Sequence, residues 1–394
     1  MKGNLNMSTT FAEWFCLQAD RANFQIRPDR DHHFMFGNVK WREDIRRELQ
    51  RALLLSNPVR IVWWGDYGIG KTQRLRYMEH LINTEFADKN PSFYPVVVTT
   101  RDLQDKSGFE QLHYELISRL KFDEMRKATV SYAKKLWTGE SGPIPFEQLT
   151  TSEDVHNAFR VLGGDNERFA ETAWRFLAGQ DVKTEMQVAN VHKNCLDSSV
   201  EFADVLKLFA TIIEMEWGKQ LFYMVDQVEA LSKITNKNAE ARWVETLRAV
   251  LDIPNLSIVL AIGASRVDGI PAIVYAAEIV RRFTVDKYIQ MAAYETADAE
   301  AFVEDLLTHL VDPSKREALE AKEDWASQVP GYDPKYYPFT EKAFRKFCRY
   351  FGEQPKIGKP AEIIPKLDFL AAEAFMQEKR LINEDFLVQH GINA

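Results

Sequence analysis

The sequence predicts an α/β fold in which a parallel sheet is flanked by helices, with a long helical insertion and a C-terminal helical lid. Continuous apolar runs recur along the chain, as is typical of strands that are buried on both faces of a parallel sheet. A glycine-rich octapeptide joins the first run to a helix, and after residue 290 the chain becomes helical again. The four apolar runs are 59–64, 93–100, 221–225 and 256–262.

Composition limits the class of protein. The chain has 394 residues, 45% hydrophobic and 27% charged, which is enough to bury a full core in one large or two modest domains. A formal net charge of −8 excludes a surface that binds nucleic acid everywhere, because neutralising phosphates requires clustered Lys and Arg. The three cysteines lack metal or redox spacing and are expected to be free thiols. No apolar run approaches the roughly 18 residues that span a bilayer, so we expect no membrane contact and a cytoplasmic location.

The helices follow from the spacing of apolar residues. Over 41–55 these residues recur every three or four positions, which predicts an amphipathic helix that ends before Pro58. A second helix is predicted over 71–83, after the glycines. The stretch of about 101–218, between the second and third strands, is mostly helical and is predicted to be an insertion. The lid helices are predicted over 296–310, 340–350 and 361–380.

The octapeptide after the first strand fits the G-x-x-x-x-G-K-[ST] pattern of a phosphate-binding loop, with the strand before it and the helix after it that this pattern requires. Its glycines allow backbone N–H groups to surround a phosphate at the helix N-terminus. Lys71 is expected to reach the β- and γ-phosphates, and the Thr72 hydroxyl to ligate Mg²⁺. The sequence therefore predicts binding of ATP and Mg²⁺. The octapeptide consists of Gly65, Asp66, Tyr67, Gly68, Ile69, Gly70, Lys71 and Thr72.

A second part of the site is predicted where the third apolar run ends in an acid, Asp226. A carboxylate at the carboxyl end of a strand can hold the Mg²⁺ shell. The next residue is Gln227, at a position where a second acid would polarise the attacking water. Two interpretations stay open: Glu229 reaches back over the turn and serves as the base, or Gln227 orients the water. Glu229 can also simply begin the next helix near its positive end.

The order of these motifs resembles AAA+ ATPases of the origin-recognition and transposon target-selection type, over roughly residues 36 to 380. Residues 1–36 mix aromatics with charges and show no sustained period, so they are predicted to form an N-terminal arm that packs on the domain. The resemblance implies a P-loop AAA+ nucleotide-binding domain over 37–290 and a helical lid domain over 291–394. A weaker likeness, in the segment AWRFLAGQ at 173–180, is to the ATPases of BREX-type phage-defence operons. The residues that carry the first resemblance are Phe36-Gly37, the octapeptide, Asp226 to Glu229, Ser265 and Arg281-Arg282-Phe283.

The resemblance assigns further residues to the site. In the AAA+ order of parts, the tip of the fourth apolar run carries a polar residue that senses the γ-phosphate, and Ser265 fits that position with Arg266 as a second candidate. The alternative is a simple turn that ends a strand. Arg281 and Arg282 precede an apolar strand, as an arginine finger acting on a neighbouring subunit would require. Their alternative role is a surface ion pair.

Two departures limit what the resemblance implies. Where origin-recognition proteins usually carry the arginine of a Gly-Asn-Pro-Arg stretch in the lid, this chain has Gly358-Lys359-Pro360-Ala361. Ala361 is expected not to contact the γ-phosphate, and Lys359 either substitutes for that arginine or faces solvent. The chain also stops at Ala394, soon after the lid, so we expect no winged-helix domain and no sequence-specific reading of DNA through one.

A basic stretch over 335–366 is the candidate for local contact with DNA. It contains eight basic residues against three acidic ones, interleaved with aromatic residues. Arg345 and Arg349 are four positions apart on a predicted helix, so together with Lys342 and Lys346 they predict a basic stripe that follows a phosphate backbone. The alternative is a solvated helix face on an acidic protein.

Two functions remain open at this point. The first is an ATPase that hydrolyses ATP and assembles as a homo-oligomer on DNA or on an effector protein, in genome defence, mobile-element control or replication-related work. The second is a switch that ATP locks into a shape or oligomer that recruits an effector, with slow hydrolysis as a timer. A metabolic kinase is disfavoured by the finger-like arginines and the helical lid.

Overall fold

The computed structural model describes residues 9–37, 39–100, 108–182, 186–323 and 325–393. Parts of the predicted regions lie outside these residues, namely 1–8 of the arm, 101–107 and 183–185 of the insertion, and the last residue of the lid. The described chain forms two compact units. The sheet unit contains the described residues of 45–65 and 75–290, and the helical unit contains those of 9–44, 66–74 and 291–393.

The sheet has five strands in the order β2-β3-β4-β1-β5. β1 pairs in parallel with β4, β4 with β3, and β3 with β2, so β4 lies between β1 and β3. Every residue of β4 is buried, which explains the continuous apolar run in its sequence. The fold predicted from the sequence is confirmed. The strands are β1 Arg60–Gly65, β2 Ser92–Thr99, β3 Lys219–Asp226, β4 Leu256–Gly263 and β5 Tyr288–Met291.

Helices account for most of the remaining described residues, and short 3₁₀ turns lie between some of them. In chain order the helices are α1 Phe11–Trp14, α2 Val39–Leu55, α3 Lys71–Thr84, α4 Phe109–Ser118, α5 Phe122–Thr138, α6 Phe146–Leu149, α7 Glu153–Leu162, α8 Glu167–Leu177, α9 Ser199–Trp217, α10 Lys237–Leu251, α11 Ala272–Tyr275, α12 Ala277–Phe283, α13 Thr296–Leu310, α14 Pro313–Glu323, α15 Trp325–Gln328, α16 Glu341–Gly352, α17 Pro360–Met376 and α18 Glu384–Gln389. The 3₁₀ turns are Gln187–Ala189, Val228–Lys233, Val267–Gly269, Val285–Lys287 and Pro334–Tyr336.

The predicted insertion forms α4 to α9 and shares one hydrophobic core with the sheet. Its last helix, α9, begins with a capping box between Ser198 and Glu201 and ends at Gly218, whose φ of 63° stops the helix one residue before β3. The last insertion helix therefore ends just before the strand that carries Asp226. Core residues from the two parts include Tyr132, Phe159 and Phe209 of the helices and Val62, Tyr223 and Leu260 of the strands.

The helical unit has its own core, formed mainly by α13, α16 and α17. α16 buries a face with the spacing expected of an amphipathic helix, and the N-terminal segment contributes to the same core. The arm predicted over 1–36 thus packs on the lid helices through its described residues. The contributing residues are Phe15, Phe24 and Phe36 of the segment with Phe302, Phe344, Phe347 and Leu367 of the helices.

Two elements differ from the sequence interpretation. Arg281 and Arg282 do not immediately precede a strand: they end helix α12, a 3₁₀ turn follows, and β5 begins only at Tyr288. α14 was not predicted because it buries none of its described residues and so has no apolar stripe to recognise. Hydrophobic spacing identifies only those helices that contribute a face to a core.

The remaining composition-based expectations concern thiols and membranes. All three cysteines are free, with Cys16 and Cys348 buried and Cys195 half-buried, as predicted. Within the described ranges, no helix has the length and hydropathy that crossing a bilayer requires.

Candidate nucleotide-binding site

The predicted phosphate-binding loop connects β1 to α3. Strand β1 ends at Gly65, and helix α3 begins at Lys71. Gly68 and Gly70 have φ values of 78° and 96°, a region that residues with a side chain rarely adopt. A Cβ atom at Gly70 would meet no other atom within 4 Å, so the loop is open on that side. The loop residues therefore fit a phosphate cradle at a helix N-terminus.

Lys71 lies inside the loop, and its ammonium group faces the loop backbone. Its Nζ donates a hydrogen bond of 2.8 Å to the carbonyl of Asp66, and the residue is only 9% exposed. Ile69 is buried and fixes the middle of the loop, whereas Tyr67 is exposed and its ring centre is 5.7 Å from the Lys71 Nζ. Thr72 follows in the first turn of α3 and is exposed. Both residues predicted to touch the phosphates and Mg²⁺ thus lie at the N-terminus of a helix.

Asp226 is the last residue of β3 and is only 4% exposed. Its Oδ1 accepts a 2.9 Å hydrogen bond from the Gln227 backbone N–H, and its backbone pairs in register with Thr99 of β2. The hydroxyl of Thr100 donates to the carbonyls of Asp226 and Gln227 at 3.2 Å and 2.6 Å. This carboxylate is therefore held in place at the carboxyl end of the sheet, where the sequence predicted a Mg²⁺ ligand.

Gln227 adopts the left-handed conformation, with φ 60° and ψ 37°, and it begins the 3₁₀ turn Val228–Lys233. For a residue with a Cβ atom this conformation costs about 1–2 kcal/mol. The reversal directs the chain back towards the sheet edge. A strained backbone directly after Asp226 indicates that the position of the next residues is constrained.

Glu229 reaches back over this turn, as the sequence suggested it could. Its Oε2 accepts a 2.7 Å hydrogen bond from the backbone N–H of Gly263, the last residue of β4. Gly263 pairs in register with Gly65 at the end of β1, and the Ala264 N–H donates to the Gly65 carbonyl at 2.9 Å. The carboxylate of Glu229 thus lies at the edge of the sheet where β1 and β4 end.

Ser265 and Arg266 follow β4 after Ala264, and both are exposed. The guanidinium of Arg266 lies 3.5 Å from Asp268, and both side chains are largely solvated. Because β4 lies between the strand that leads to the phosphate loop and the strand that carries Asp226, these residues leave the sheet at its centre.

The two predicted finger residues occupy different environments. Arg282 forms a bidentate ion pair with Asp252 and donates a third hydrogen bond to the Glu278 carbonyl. Arg281 is exposed, and within the described residues its side chain has no ion pair or hydrogen bond. The alternative of a surface ion pair therefore fits Arg282, whereas Arg281 keeps its guanidinium in solvent.

Two residues that follow Thr72 hold structural contacts that were not predicted from the sequence. The Gln73 amide donates to the carbonyls of Asp31 and Phe34, both at 2.6 Å, and so ties the N-terminal segment to α3. Arg74 is 6% exposed, its guanidinium lies 3.8 Å from the ring centre of Trp41, and burial lowers its pKa to about 10. The sequence did contain a signal that Arg74 is buried: it occupies an apolar position of the helix, three residues before Tyr77 and four before Met78.

The candidate DNA stripe lies on α16. Lys342 and Arg349 are exposed and Lys346 is half-buried, but Arg345 pairs with Glu341 at 2.9 Å and lies 3.7 Å from Glu300. The interleaved Phe344 and Phe347 are buried in the helical core, so they are not available to stack on bases. The aromatic spacing that accompanied the basic residues reflects core packing.

Lys71 and Thr72 belong to the helical unit, and Asp226, Glu229, Ser265 and Arg281 belong to the sheet unit. Within the sheet unit, the residues that end β1, β3 and β4 come together at one edge. Within the helical unit, the loop residues after Gly65 pack with the beginning of α17.

Comparison with known proteins identifies solved structures with a similar fold. No protein-family model matches the chain, and no curated protein matches it. Among solved structures, the ORC2 protein of Aeropyrum pernix, in ADPNP–ADP complexes, is 12% identical with a TM-score of 0.50, over 95% of this chain and 71% of that one. The chain therefore has the fold of origin-recognition AAA+ proteins, as the resemblance implied.

Two further solved structures are similar over most of the chain. A Walker-type ATPase of Pyrococcus abyssi is 14% identical over 93% of this chain and 80% of that one, with a TM-score of 0.39. The ORC1 protein of Aeropyrum pernix, in complex with DNA, is 10% identical over 96% of this chain and 68% of that one, with a TM-score of 0.42. The likeness to phage-defence ATPases stays a prediction.

Proposed function

We propose that this protein is an ATPase that binds ATP and Mg²⁺ and assembles as a homo-oligomer on DNA or on a partner protein. The observation that carries the proposal is the strand-loop-helix unit from β1 to α3, in which Gly68 and Gly70 have positive φ and Lys71 begins the helix. A loop of this kind presents backbone N–H groups and a helix N-terminus to phosphates. The ADPNP and ADP in the similar ORC2 structure support an adenine nucleotide.

In this proposal each residue has one role. Lys71 would leave the Asp66 carbonyl to bind the β- and γ-phosphates, and Thr72 and Asp226 would each offer an oxygen ligand to Mg²⁺. The ion, when bound, neutralises charge on the phosphates. Its fit to the site rests on the donor types, a hydroxyl and a buried carboxylate, because Mg²⁺ prefers oxygen ligands.

Glu229 is the better candidate for activating water. The hydrogen bond from the Gly263 N–H fixes one carboxylate oxygen at the edge of the sheet. A general base needs such an orientation before it can accept a proton from an attacking water. Gln227 lacks a basic group and would only orient the water. Ser265, at the tip of the central strand β4, is the proposed γ-phosphate sensor.

Arg281 is the proposed arginine finger. A guanidinium supplied to a neighbouring subunit stabilises charge on the transferred phosphoryl group, and only an arginine without an internal ion pair can do this at no cost. Arg281 meets that condition among the described residues, and Arg282 does not. The proposal therefore places the complete active site between two copies of the chain.

A second candidate function is a switch that ATP locks into a form able to recruit an effector, with slow hydrolysis as a timer. The observation that favours it is the amide of Gln227 directly after Asp226, where an acid would accelerate hydrolysis. Steady-state phosphate release, measured with and without duplex DNA, separates the two functions. An oligomeric ATPase turns over repeatedly, whereas a switch turns over slowly and responds to nucleotide mainly by changing its assembly state. Genome defence, mobile-element control and replication-related work are the settings that we propose for either function.

The deciding experiment is titration calorimetry of ATP with Mg²⁺. Lys71→Ala should abolish binding, because it removes the cation that holds the phosphates while leaving both cores intact. Lys89→Ala is the matched control, since Lys89 is an exposed lysine on the loop between α3 and β2. Wild-type affinity in Lys71→Ala, with both variants folded, would remove the phosphate-cradle assignment.

A further inference from the structure

We propose that the carboxylate of Asp66, in the phosphate loop, competes with the terminal phosphate of ATP for Lys359, and so links nucleotide binding to the docking of α17. The inference deepens the proposed function and rests on it. Lys359 bonds to the Asp66 carboxylate, whereas Lys71 donates to the Asp66 backbone carbonyl.

Lys359 is held against the phosphate loop. Its Nζ lies 3.3 Å from Oδ2 of Asp66, and its side chain is only 15% exposed. Lys359 is the N-cap of α17, with φ −148° and ψ 152°, and Pro360 in the next position keeps it extended. The lysine therefore does not face solvent, because the start of its own helix directs it towards the loop.

The backbone of α17 touches the same loop. The Ala361 N–H donates to the Gly68 carbonyl at 3.2 Å, and a Cβ atom at Gly68 would lie only 2.2 Å from the Cβ of Ala361. Gly358, just before the helix, accepts a 2.6 Å hydrogen bond from the Tyr294 N–H. The N-terminus of α17 is thus docked directly on the phosphate loop, with the positive end of its dipole towards Asp66.

Asp66 also gives the phosphate loop a negative charge. The Asp66 carbonyl holds Lys71 and its carboxylate holds Lys359, so in this form the loop itself satisfies two cations. The phosphates of ATP carry the same sign of charge as Asp66 and enter a loop that already contains it. ATP must therefore draw Lys359 away from the Asp66 carboxylate and overcome repulsion from that carboxylate, while Lys71 has only to leave a backbone carbonyl. ADP, which lacks the terminal phosphate, meets less of this competition.

The experiment measures the affinity for ATP and ADP by calorimetry in two variants that break the same ion pair. Asp66→Asn removes the competitor and frees Lys359, so ATP should bind about 5- to 10-fold more tightly. Lys359→Met keeps the aliphatic stem but removes the cation that the terminal phosphate draws away from Asp66, so ATP should bind about 10-fold more weakly. ADP affinity should change less than ATP affinity in both. Asp88→Asn, an exposed acid beyond α3, is the matched control.

Competition makes the two changes non-additive, because Asp66→Asn has no lysine to free when Lys359→Met is also present. In the double variant, Asp66→Asn should therefore tighten ATP binding by less than it does in the wild type. Additive shifts, or single-variant shifts in the same direction, would overturn the inference. Thermal melts verify that both variants fold, and Lys359→Arg should keep near-wild-type behaviour. Lys71→Ala distinguishes a failure of the competition hypothesis from a failure of the proposed ATP site. If Lys71→Ala loses ATP binding while Asp66→Asn binds ATP no more tightly than the wild type, the competition hypothesis is wrong but the proposed ATP site stands. If Lys71→Ala binds normally, the ATP site itself is wrong.

Discussion

Arg282 and Asp252 form a bidentate ion pair, with Nε 2.6 Å from Oδ1 and Nη2 2.7 Å from Oδ2. Arg282 is largely buried by this contact, while its neighbour Arg281 remains in solvent. Two consecutive arginines that look equivalent in the sequence therefore have different environments: one is paired beside the end of α12, and the other has its guanidinium in solvent.

The arginines give the first prediction. Arg281→Ala should bind ATP normally but hydrolyse it about 1000-fold more slowly, because the transition state lacks the charge supplied by the neighbouring subunit. Phosphate release at increasing protein concentration measures this. Mixing Arg281→Ala with Lys71→Ala should restore part of the activity, since a mixed interface combines an intact loop with an intact finger. Hydrolysis that is independent of protein concentration and shows no rescue would exclude a finger between subunits.

Arg282→Ala is the matched comparison, and its effect should be on stability. Removal of the ion pair should lower the free energy of unfolding by about 1 kcal/mol at neutral pH. The hydrogen bonds from Arg282 lower the pKa of Asp252, so the pair stabilises the folded state above the ordinary Asp value of 3.8 and less as pH falls through the folded pKa. The difference between the two unfolding curves should therefore shrink below about pH 4. A difference that persists there would mean that Arg282 acts through packing.

The second prediction concerns the base. Glu229→Gln should retain ATP affinity and the hydrogen bond from Gly263, since the amide oxygen still accepts it, but turnover should fall by about 100-fold or more. Asp226→Asn should instead weaken Mg²⁺-dependent binding. Gln227→Gly relieves the left-handed strain and removes the side chain, so a fall in turnover in that variant alone would assign the water to Gln227. Unchanged turnover in Glu229→Gln would remove Glu229 from the mechanism.

The third prediction uses the two loop glycines with positive φ. Gly68→Ala should destabilise the protein by the cost of the left-handed backbone, about 1–2 kcal/mol, and by the overlap with Ala361, about 1–3 kcal/mol more. Adding Ala361→Gly should recover the second part only. Gly70→Ala meets no neighbouring atom, so it should cost less stability yet reduce ATP affinity because its Cβ fills the cradle. Calorimetric melts and ATP titrations measure both; equal destabilisation at the two sites would contradict the Ala361 contact.

The fourth prediction concerns the basic residues of α16. If they bind DNA, replacing Lys342 and Arg349 together by alanine should weaken binding. The slope of log K against the logarithm of the salt concentration should also fall in magnitude by about 2, since each side chain would neutralise one phosphate. Arg345→Ala is the control, because Glu341 and Glu300 already neutralise that arginine. Fluorescence anisotropy with labelled duplex at several salt concentrations provides the slopes. Equally weakened binding in Arg345→Ala, or wild-type binding in the double variant, would locate DNA binding elsewhere.

The sequence alone determined the parts of this protein that depend on neighbours along the chain. The β1-loop-α3 unit follows from an apolar run, glycines and a lysine in one short segment, and Asp226 follows from an acid that ends a buried strand. The helices with a buried face, such as α13 and α16, follow from apolar spacing, whereas α14 has no such face and was missed.

The tertiary structure alone decided which side chains are partners. Glu229 meets Gly263 34 positions away, Arg282 meets Asp252 30 positions away, and Lys359 meets Asp66 293 positions away. Propensity and periodicity carry no information about such pairs, because a charged side chain has the same local preference whether it faces solvent, an ion-pair partner or a backbone N–H. Only the packing of strands and helices brings a particular charged side chain to a particular partner. This packing gives Arg282 an ion-pair partner but leaves Arg281 in solvent, and it turns Lys359 towards the phosphate loop.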